Sequence, residues 1–341
     1  MLNKTEDSQM DFSLRAPQLS DLQAVVDLHN ECSRQLDAKD EITSAEMANF
    51  WETPDISLPD DLRLAQASDG RLLGYVEALT YGNPGANPYI HIRVLPAAAQ
   101  AGVAAALMDW ALARCEQVLA RVPAELRVCI SLHQLSTDET MPAVLAERGF
   151  QLVRHSFFMG VDLNQQLSAP QWPQNVELRP FKLESDAEPV YRALVDAFKD
   201  HYGFLEEPFE QGFPRWKHAM IEDEEAYIPE LWFIAWEGDQ VAGIALCKEL
   251  PEDGKKIGWV EDLGVRRAWR KRGLGKALLL QSFQAFQQRG LSSAGLFVDA
   301  SNLTGALRLY EGAGMRMRRQ YDRYEKELRP GKEVRTTELT A

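Results

Sequence analysis

Four landmarks recur in the same order along this chain, 164 to 171 residues apart. Phe12-Ser13-Leu14-Arg15 followed by Ser20-Asp21 returns as Val176-Glu177-Leu178-Arg179 followed by Ser185-Asp186. Arg71-Leu72-Leu73-Gly74-Tyr75-Val76 returns as Gln240-Val241-Ala242-Gly243-Ile244-Ala245. Val94 and Val265 end matching strands, and Arg148-Gly149-Phe150 and Ala313-Gly314-Met315 close matching helices. A period this long marks two copies of one domain and not a solenoid. The 341 residues suit two domains of roughly 150–170 residues each.

Each copy reads as a strand, a helix capped by Ser20 or Ser185, a second helical stretch, and two strands across a tight turn (Asp69-Gly70, Glu237-Gly238-Asp239). A longer strand then runs into a glycine turn and a long helix, over Gly102 to Val118 and Gly273 to Arg289. Strand, short helix and final strands complete the copy. Strand–helix–strand passages among hairpins predict a mixed α/β (α+β) sheet flanked by helices on both faces. The expected organisation is a tail at 1–11, a first copy over 12–162, a polar linker at 163–175 with Pro170 and Pro173, a second copy over 176–328, and a tail at 329–341.

Composition narrows the function. The net charge is −14, and residues 1–170 carry 12 cationic against 23 acidic side chains. Such a chain is unsuited to nucleic acid, whose binding depends on phosphate neutralisation. Acidity suits a cationic acceptor such as an amine, and equally suits plain solubility. No apolar run reaches the ~18 residues of a membrane span, and the N-terminus has no signal-like segment. Cys32, Cys115, Cys129 and Cys247 are scattered, with no metal-ligand or CxxC spacing. They read as small buried hydrophobes of a cytoplasmic protein. No metal site is expected.

The chemistry is concentrated at Glu261-Asp262-Leu263-Gly264-Val265-Arg266-Arg267-Ala268-Trp269-Arg270-Lys271-Arg272-Gly273-Leu274-Gly275-Lys276. A strand ends at Val265, a basic loop follows, and two glycines open a helix. Free N–H groups and the dipole of a helix start make an anion site, and a missing Cβ lets main chain approach a phosphate. Arg266, Arg267, Arg270, Lys271, Arg272 and Lys276 fall within eleven positions of an otherwise acidic chain, as a polyanionic cofactor requires. One helix terminus supplies only ~0.3–1 kcal/mol per charge, so these cations are expected to share the work. Neither Gly-x-x-x-x-Gly-Lys-[Ser/Thr] nor Gly-x-Gly-x-x-Gly is present, since Leu278 stands at the third glycine. A second segment, Gly295 to Met315, reads as a strand, an Asn-led turn and a helix ending in glycine.

Together the two segments resemble the GNAT superfamily of acetyl-CoA-dependent N-acyltransferases, in its tandem two-domain form. Arg270, Gly273 and Gly275 match its [Arg/Gln]-x-x-Gly-x-[Gly/Ala] signature; Asn302, Ala306, Tyr310 and Gly314 match its later segment. The resemblance implies acetyl-CoA as co-substrate, with pantetheine against main chain at Leu263, Gly264 and Val265. It implies pyrophosphate on the amides of Lys271, Arg272, Gly273, Leu274, Gly275 and Lys276, with Arg270 also cofactor-binding and Asn302 touching the pantetheine arm. Tyr310 would protonate the departing thiolate, a role worth ~10²–10⁴ in rate. A main-chain N–H near Val265 would polarise the thioester carbonyl.

An alkyl amine of pKa ~10.4 costs roughly 4–5 kcal/mol to deprotonate at pH 7, so a base is needed. Glu261 is the chosen base, with Asp262 expected on the opposite face by strand alternation; either could instead serve Arg266 or Arg267 as an ion-pair partner. The acceptor is expected to be an amine of a small molecule or peptide, on a monomer or homodimer. Aromatics and acids between 199 and 230 would either line its cleft or form core beneath an acidic face.

The first copy departs from the pattern. Counting from Val94 puts Ala99 where Arg270 stands, while Gly102 and Ala104 keep the glycine part; Leu145 stands where Tyr310 does. It reads as a degenerate copy. Two rival functions stay open for the chain: a non-catalytic acyl-CoA-binding or regulatory module, and a scaffold that keeps the fold only.

Overall fold

The computed structural model describes residues 11–36, 41–82, 84–222, 227–301 and 305–337. They belong to two compact units that are not contiguous in sequence. The first comprises residues 1–153 and 323–332, the second 154–322 and 333–341.

The N-terminal unit is built on strands that alternate between two apolar layers. Its elements are β1 (Phe12–Arg15), α1 (Leu22–Gln35), α2 (Ser44–Trp51), α3 (Leu58–Asp61), β2 (Leu62–Ala67), β3 (Leu72–Leu79), β4 (Tyr89–Val94), α4 (Pro96–Gln100), α5 (Val103–Glu116), β5 (Val128–Leu135) and α6 (Met141–Glu147). The strands lie in the order β1-β2-β3-β4-β5, antiparallel except for the parallel pair β4–β5. Val76, Ile90, Ile92, Ile130 and Leu132 meet the apolar side of α5 on one face. Leu62, Leu64 and Tyr75 meet Val25, Leu28 and Cys32 of α1 on the other. A two-residue side-chain period gives both faces a core of their own. The sixth strand comes from the far end of the chain. β12 (Arg316–Arg329) contributes residues 323–329 here, and Tyr324 and Leu328 join the α5-side core.

The C-terminal unit repeats the plan with β6 (Gln151–Asp162), β7 (Glu177–Arg179), α7 (Leu183–Phe198), α8 (Phe209–Ile221), β8 (Trp232–Glu237), β9 (Gln240–Glu252), β10 (Lys255–Val265), α9 (Leu274–Gln288), β11 (Ser293–Asp299) and α10 (Ala306–Gly312). Its strands run β6-β11-β10-β9-β8-β7, with β10–β11 the parallel pair. The mixed sheet with helices on both faces therefore forms in each copy. α9 and α10 cover one face through Leu274, Leu278, Phe283 and Tyr310. α7 and α8 cover the other through Val190, Tyr191 and Trp216.

The serine caps do not form. The chain enters α1 through a tight turn at Leu19–Asp21, where Asp21 accepts the Gln18 N–H and pairs with Arg15 at 2.6 Å. α7 starts at Leu183, and Asp186 reaches back to the Lys182 N–H at 2.9 Å. In each copy an aspartate inside the first turn does the capping. The four cysteines are buried and unbridged. Among the described residues no helix is long and apolar enough to cross a membrane.

Tyr324 lies 8% exposed in the N-terminal core, so Tyr324→Ala is expected to destabilise by about 3 kcal/mol. Hydrogen exchange should place the lost protection in β5 and β3; loss confined to residues 154–322 would contradict this assignment of β12.

Candidate active site

β10 and β11 pair only at Gly258↔Ala294 and Trp259↔Gly295, although β10 continues to Val265 and β11 to Asp299. Beyond Trp259 the two strands part. On the other edge β10 stays paired with β9 as far as Val265↔Gly243. The N–H of Arg266 bonds the carbonyl of Ala242 at 3.1 Å. Antiparallel ladders alternate, so Gly264 and Arg266 point their main-chain groups at β9. Leu263 and Val265 point theirs at the edge β11 has left. The Val265 carbonyl accepts from Arg270 Nε at 3.1 Å. The N–H groups of Leu263 and Val265 face the gap.

The loop after Val265 holds a left-handed residue at Lys271 (φ 62°) and another at Gly273 (φ 84°). A side chain at the first costs about 1–2 kcal/mol. A Cβ at Gly273 would meet nothing within 4 Å, so the backbone angle, not crowding, calls for glycine there. Gly275 differs: its Cβ would lie 3.2 Å from Leu309 and 3.6 Å from Val265, and its absence lets α9 close onto α10. Between them the turn leaves the first N–H groups of α9 directed outward.

Most of the loop's positive charge is already matched. Arg266 pairs with Asp196 at 2.8 Å, Arg270 with Asp200 at 2.7 Å and Arg272 with Glu237 at 2.8 Å; Arg267 also meets Asp200. Burial works against the charge on Asp200, but hydrogen bonds from Arg270 and Arg267 outweigh it and hold the carboxyl below its usual range. Arg270 also donates to the Ala197 carbonyl at 2.9 Å, tying the last turn of α7 to the loop, where a cation suits the helix dipole. Among the described residues Lys271 and Lys276 make no ion pair, and both are exposed. Four of the six cations are thus paired with acids of the chain itself.

A bulge at Glu261 interrupts the register with β9, between Val260↔Cys247 and Asp262↔Leu246. An extra residue breaks strand alternation, so the prediction that Glu261 and Asp262 face opposite sides fails. Glu261 is exposed, accepts the Trp259 indole N–H at 3.0 Å and pairs with Lys248 at 2.9 Å. It does not pair with Arg266 or Arg267. Burial pushes the Asp262 carboxyl up to about 7, the nearby charge of Glu261 adds to the rise, and Lys248 opposes it. Tyr310, on α10, is 8% exposed in the same apolar cluster as Leu263, Val265 and Leu274. Burial raises its hydroxyl to about 12, so it holds its proton at neutral pH.

Residues 192–315 match the acetyltransferase (GNAT) family. The chain is 32% identical to mycothiol acetyltransferase of Renibacterium salmoninarum over 177 residues, which are 49% of this chain and 48% of that one. It thus spans about half the length of that relative. It is 30% identical to mycothiol acetyltransferase of Salinispora arenicola over 259 residues, 73% of this chain and 76% of the relative. The chain belongs to the GNAT acetyltransferase family. The crystal structure of a GCN5-related N-acetyltransferase from Sphaerobacter thermophilus superposes with a TM-score of 0.75 at 29% identity, covering 95% of this chain and 98% of that one.

Within this GNAT chain, Arg270, Lys271, Arg272, Gly273, Leu274, Gly275 and Lys276 lie on one continuous turn into α9, next to the open edge at Leu263, Gly264 and Val265. Asn302 lies outside the described residues, as do Asp223, Glu224 and Glu225 of the acidic stretch. Phe209, Phe213, Trp216 and Tyr227 pack with Tyr191 and Trp232. Trp216 is buried in that cluster, and Phe209, Phe213 and Tyr227 are half-buried against it. Glu207 is matched by Arg215 at 2.6 Å. Sequence reasoning passed over Asp200, Asp196 and Glu237, which carry no local signal because their partners lie 35 to 70 residues away.

The raised Asp262 carboxyl gives a stability prediction. Its folded value of about 7 exceeds the ordinary ~3.9, so the fold disfavours the charged form. The stability lent by the neutral acid is full below about pH 4 and is lost as pH rises through about 7. Asp262→Asn does not titrate. Urea midpoints should show wild type falling relative to Asp262→Asn between those limits; parallel curves would rule out the raised value.

Proposed function

We propose that the C-terminal unit is the catalytic one and moves an acetyl group from acetyl-CoA to an amine of a small molecule or peptide. The carrying observation is the free main-chain edge at Leu263 and Val265, which leads directly into the glycine-opened turn. A pantetheine arm carries amide groups that can pair with such an edge as a strand does. A diphosphate suits outward N–H groups at a helix start flanked by Lys271 and Lys276. The open space at Gly273 supports the fit. Acetyl-CoA, when bound, supplies the acyl group as an activated thioester.

The chain's own groups then divide the work. The Val265 N–H, aimed into the gap, donates to the carbonyl oxygen that gains charge. Tyr310, raised to about 12, keeps its hydroxyl proton at neutral pH and donates it in a hydrogen bond to the departing sulfur. Asp262, raised to about 7, is close to half ionised at neutral pH and is matched to accept the amine proton, directly or through water. This favours Asp262 over Glu261 as base, since Glu261 is already engaged by Lys248 and Trp259. Relatives called mycothiol acetyltransferase make a small-molecule amine the first acceptor class to test.

Thiol release from acetyl-CoA over an amine panel tests the reading, and CoA binding without turnover on any amine would leave only a binding module. Tyr310→Phe should lower kcat about 10²-fold while CoA affinity by calorimetry holds; equal turnover would remove Tyr310 from the mechanism. Lys271→Gly suits the left-handed angle and deletes one charge. It should weaken CoA about fivefold, the ~1 kcal/mol of one favourable charge, without loss of stability.

A further inference from the structure

The N-terminal unit has lost the cationic loop, yet it carries a second polar cluster on the α1 side of its sheet. β4 and β5 pair only at Tyr89↔Ser131 and Ile90↔Leu132, so these strands also part. Ile90 and Ile92 face the α5 core, which turns Tyr89, His91 and Arg93 towards α1. The neighbouring strand presents Glu77, the cross-strand partner of His91, with its carboxylate 3.4 Å from His91 Nδ1. From α1, the His29 ring lies 5.8 Å from the His91 ring. Ser33 follows one helical turn later.

Two features distinguish this cluster from an ordinary polar core. His29 Nδ1 and Ser33 Oγ are buried and, among the described residues, have no hydrogen-bond partner; the two residues are only 8% and 3% exposed. An unmatched buried polar atom costs roughly 1–3 kcal/mol. Arg93 is half-buried; its guanidinium donates to the Ile92 carbonyl, and among the described residues it has no carboxylate partner. By contrast, Arg266, Arg270 and Arg272 of the other unit are all matched by acids. His29 is neutral, since burial lowers it to about 2 and the charges of Arg93 and His91 add to the effect. Among the described residues no group of three His, Cys, Asp or Glu is arranged to hold a metal ion.

We propose that the N-terminal unit holds a second ligand site, between α1 and the parting ends of β4 and β5, for a small amino or hydroxy acid. Arg93 takes the carboxylate. The Glu77 carboxylate takes the ligand's ammonium or hydroxyl donor, with His91 fixing it. His29 and Ser33 complete the polar floor, and Tyr89, whose hydroxyl lies 3.4 Å from His133 Nδ1, closes the side. The charge of Glu77 opposes a phosphate or other polyanion, which separates this site from that of acetyl-CoA.

The whole 341-residue chain is titrated with L-serine and with glycolate, using calorimetry and thermal shift, with acetate and ethanolamine as probes carrying one function each. The expected result is saturable millimolar binding of serine or glycolate, at least tenfold weaker binding of acetate and ethanolamine, and a rise in melting temperature. Arg93→Gln should weaken binding at least about tenfold, and Ser33→Ala less. An unchanged hydrogen-exchange pattern over β3, β4 and α1 in each variant shows that the N-terminal unit is folded, and failure of CoA binding in wild type would touch the proposed catalytic site of the other unit alone. Histidine NMR gives a readout that needs no variant: the His29 ring signals shift on titration. Absence of heat and of a His29 shift overturns the site, as does equal affinity in Arg93→Gln.

Discussion

The departure of β10 from β11 after Trp259 is the constraint on which the rest of the C-terminal unit depends. A parallel pair that stayed zipped would use the inward main-chain groups of Leu263 and Val265 and leave no edge for a ligand. The bulge at Glu261 accompanies the parting, as bulges do where a strand bends and its twist increases. The bulge also brings the second carboxylate close to the first, and their repulsion adds to burial in raising Asp262. One irregularity in register therefore links the shape of the groove to the acid–base character of its wall.

Electrostatics then refine the cradle in a direction composition does not suggest. The chain carries net −14, and its basic loop is matched largely by its own acids, Asp196, Asp200 and Glu237. These pairs are only partly buried, and such pairs contribute little stability each. Their geometry has more consequence. Arg270 holds a β10 carbonyl, an α7 carbonyl and Asp200 together, so the turn starts from a fixed point. Among the described residues Lys271 and Lys276 are the loop cations without an acid partner, and they flank the first amides of α9.

The two copies show how one backbone carries different chemistry. Gly102 has φ 92° and Gly273 has φ 84°, and both open a long helix. The Leu95 N–H bonds the Leu73 carbonyl at 3.0 Å, so the main-chain groups of Ile92 and Val94 point at the gap as those of Leu263 and Val265 do. What differs is the filling. A short helix, α4, replaces the tight turn at Arg267–Trp269 and buries Ala99 where Arg270 would stand. Leu145 is wholly buried in the core at the position of Tyr310. Aligned on Val94 and Val265, His91 falls at the position of Asp262, and Glu77 stands across from it where Leu246 stands in the other copy.

By itself the sequence determined the duplication, the mixed α/β class, the long helices and the glycine-opened turn. Apolar period, glycine and loop composition act over a few residues and can be read in order along the chain. The family likeness at Arg270, Gly273, Gly275 and Tyr310 was legible for the same reason. Tertiary structure alone decided three things: that β12 completes the N-terminal unit, that Asp200 engages Arg270, and that Asp262 is the raised acid beside Glu261. Each depends on which distant residues meet and in what register, and a slip of one residue reverses every facing side chain. Nothing near Asp200 in the chain announces a partner 70 residues later; only the packing of α7 against the end of β10 brings the charges together.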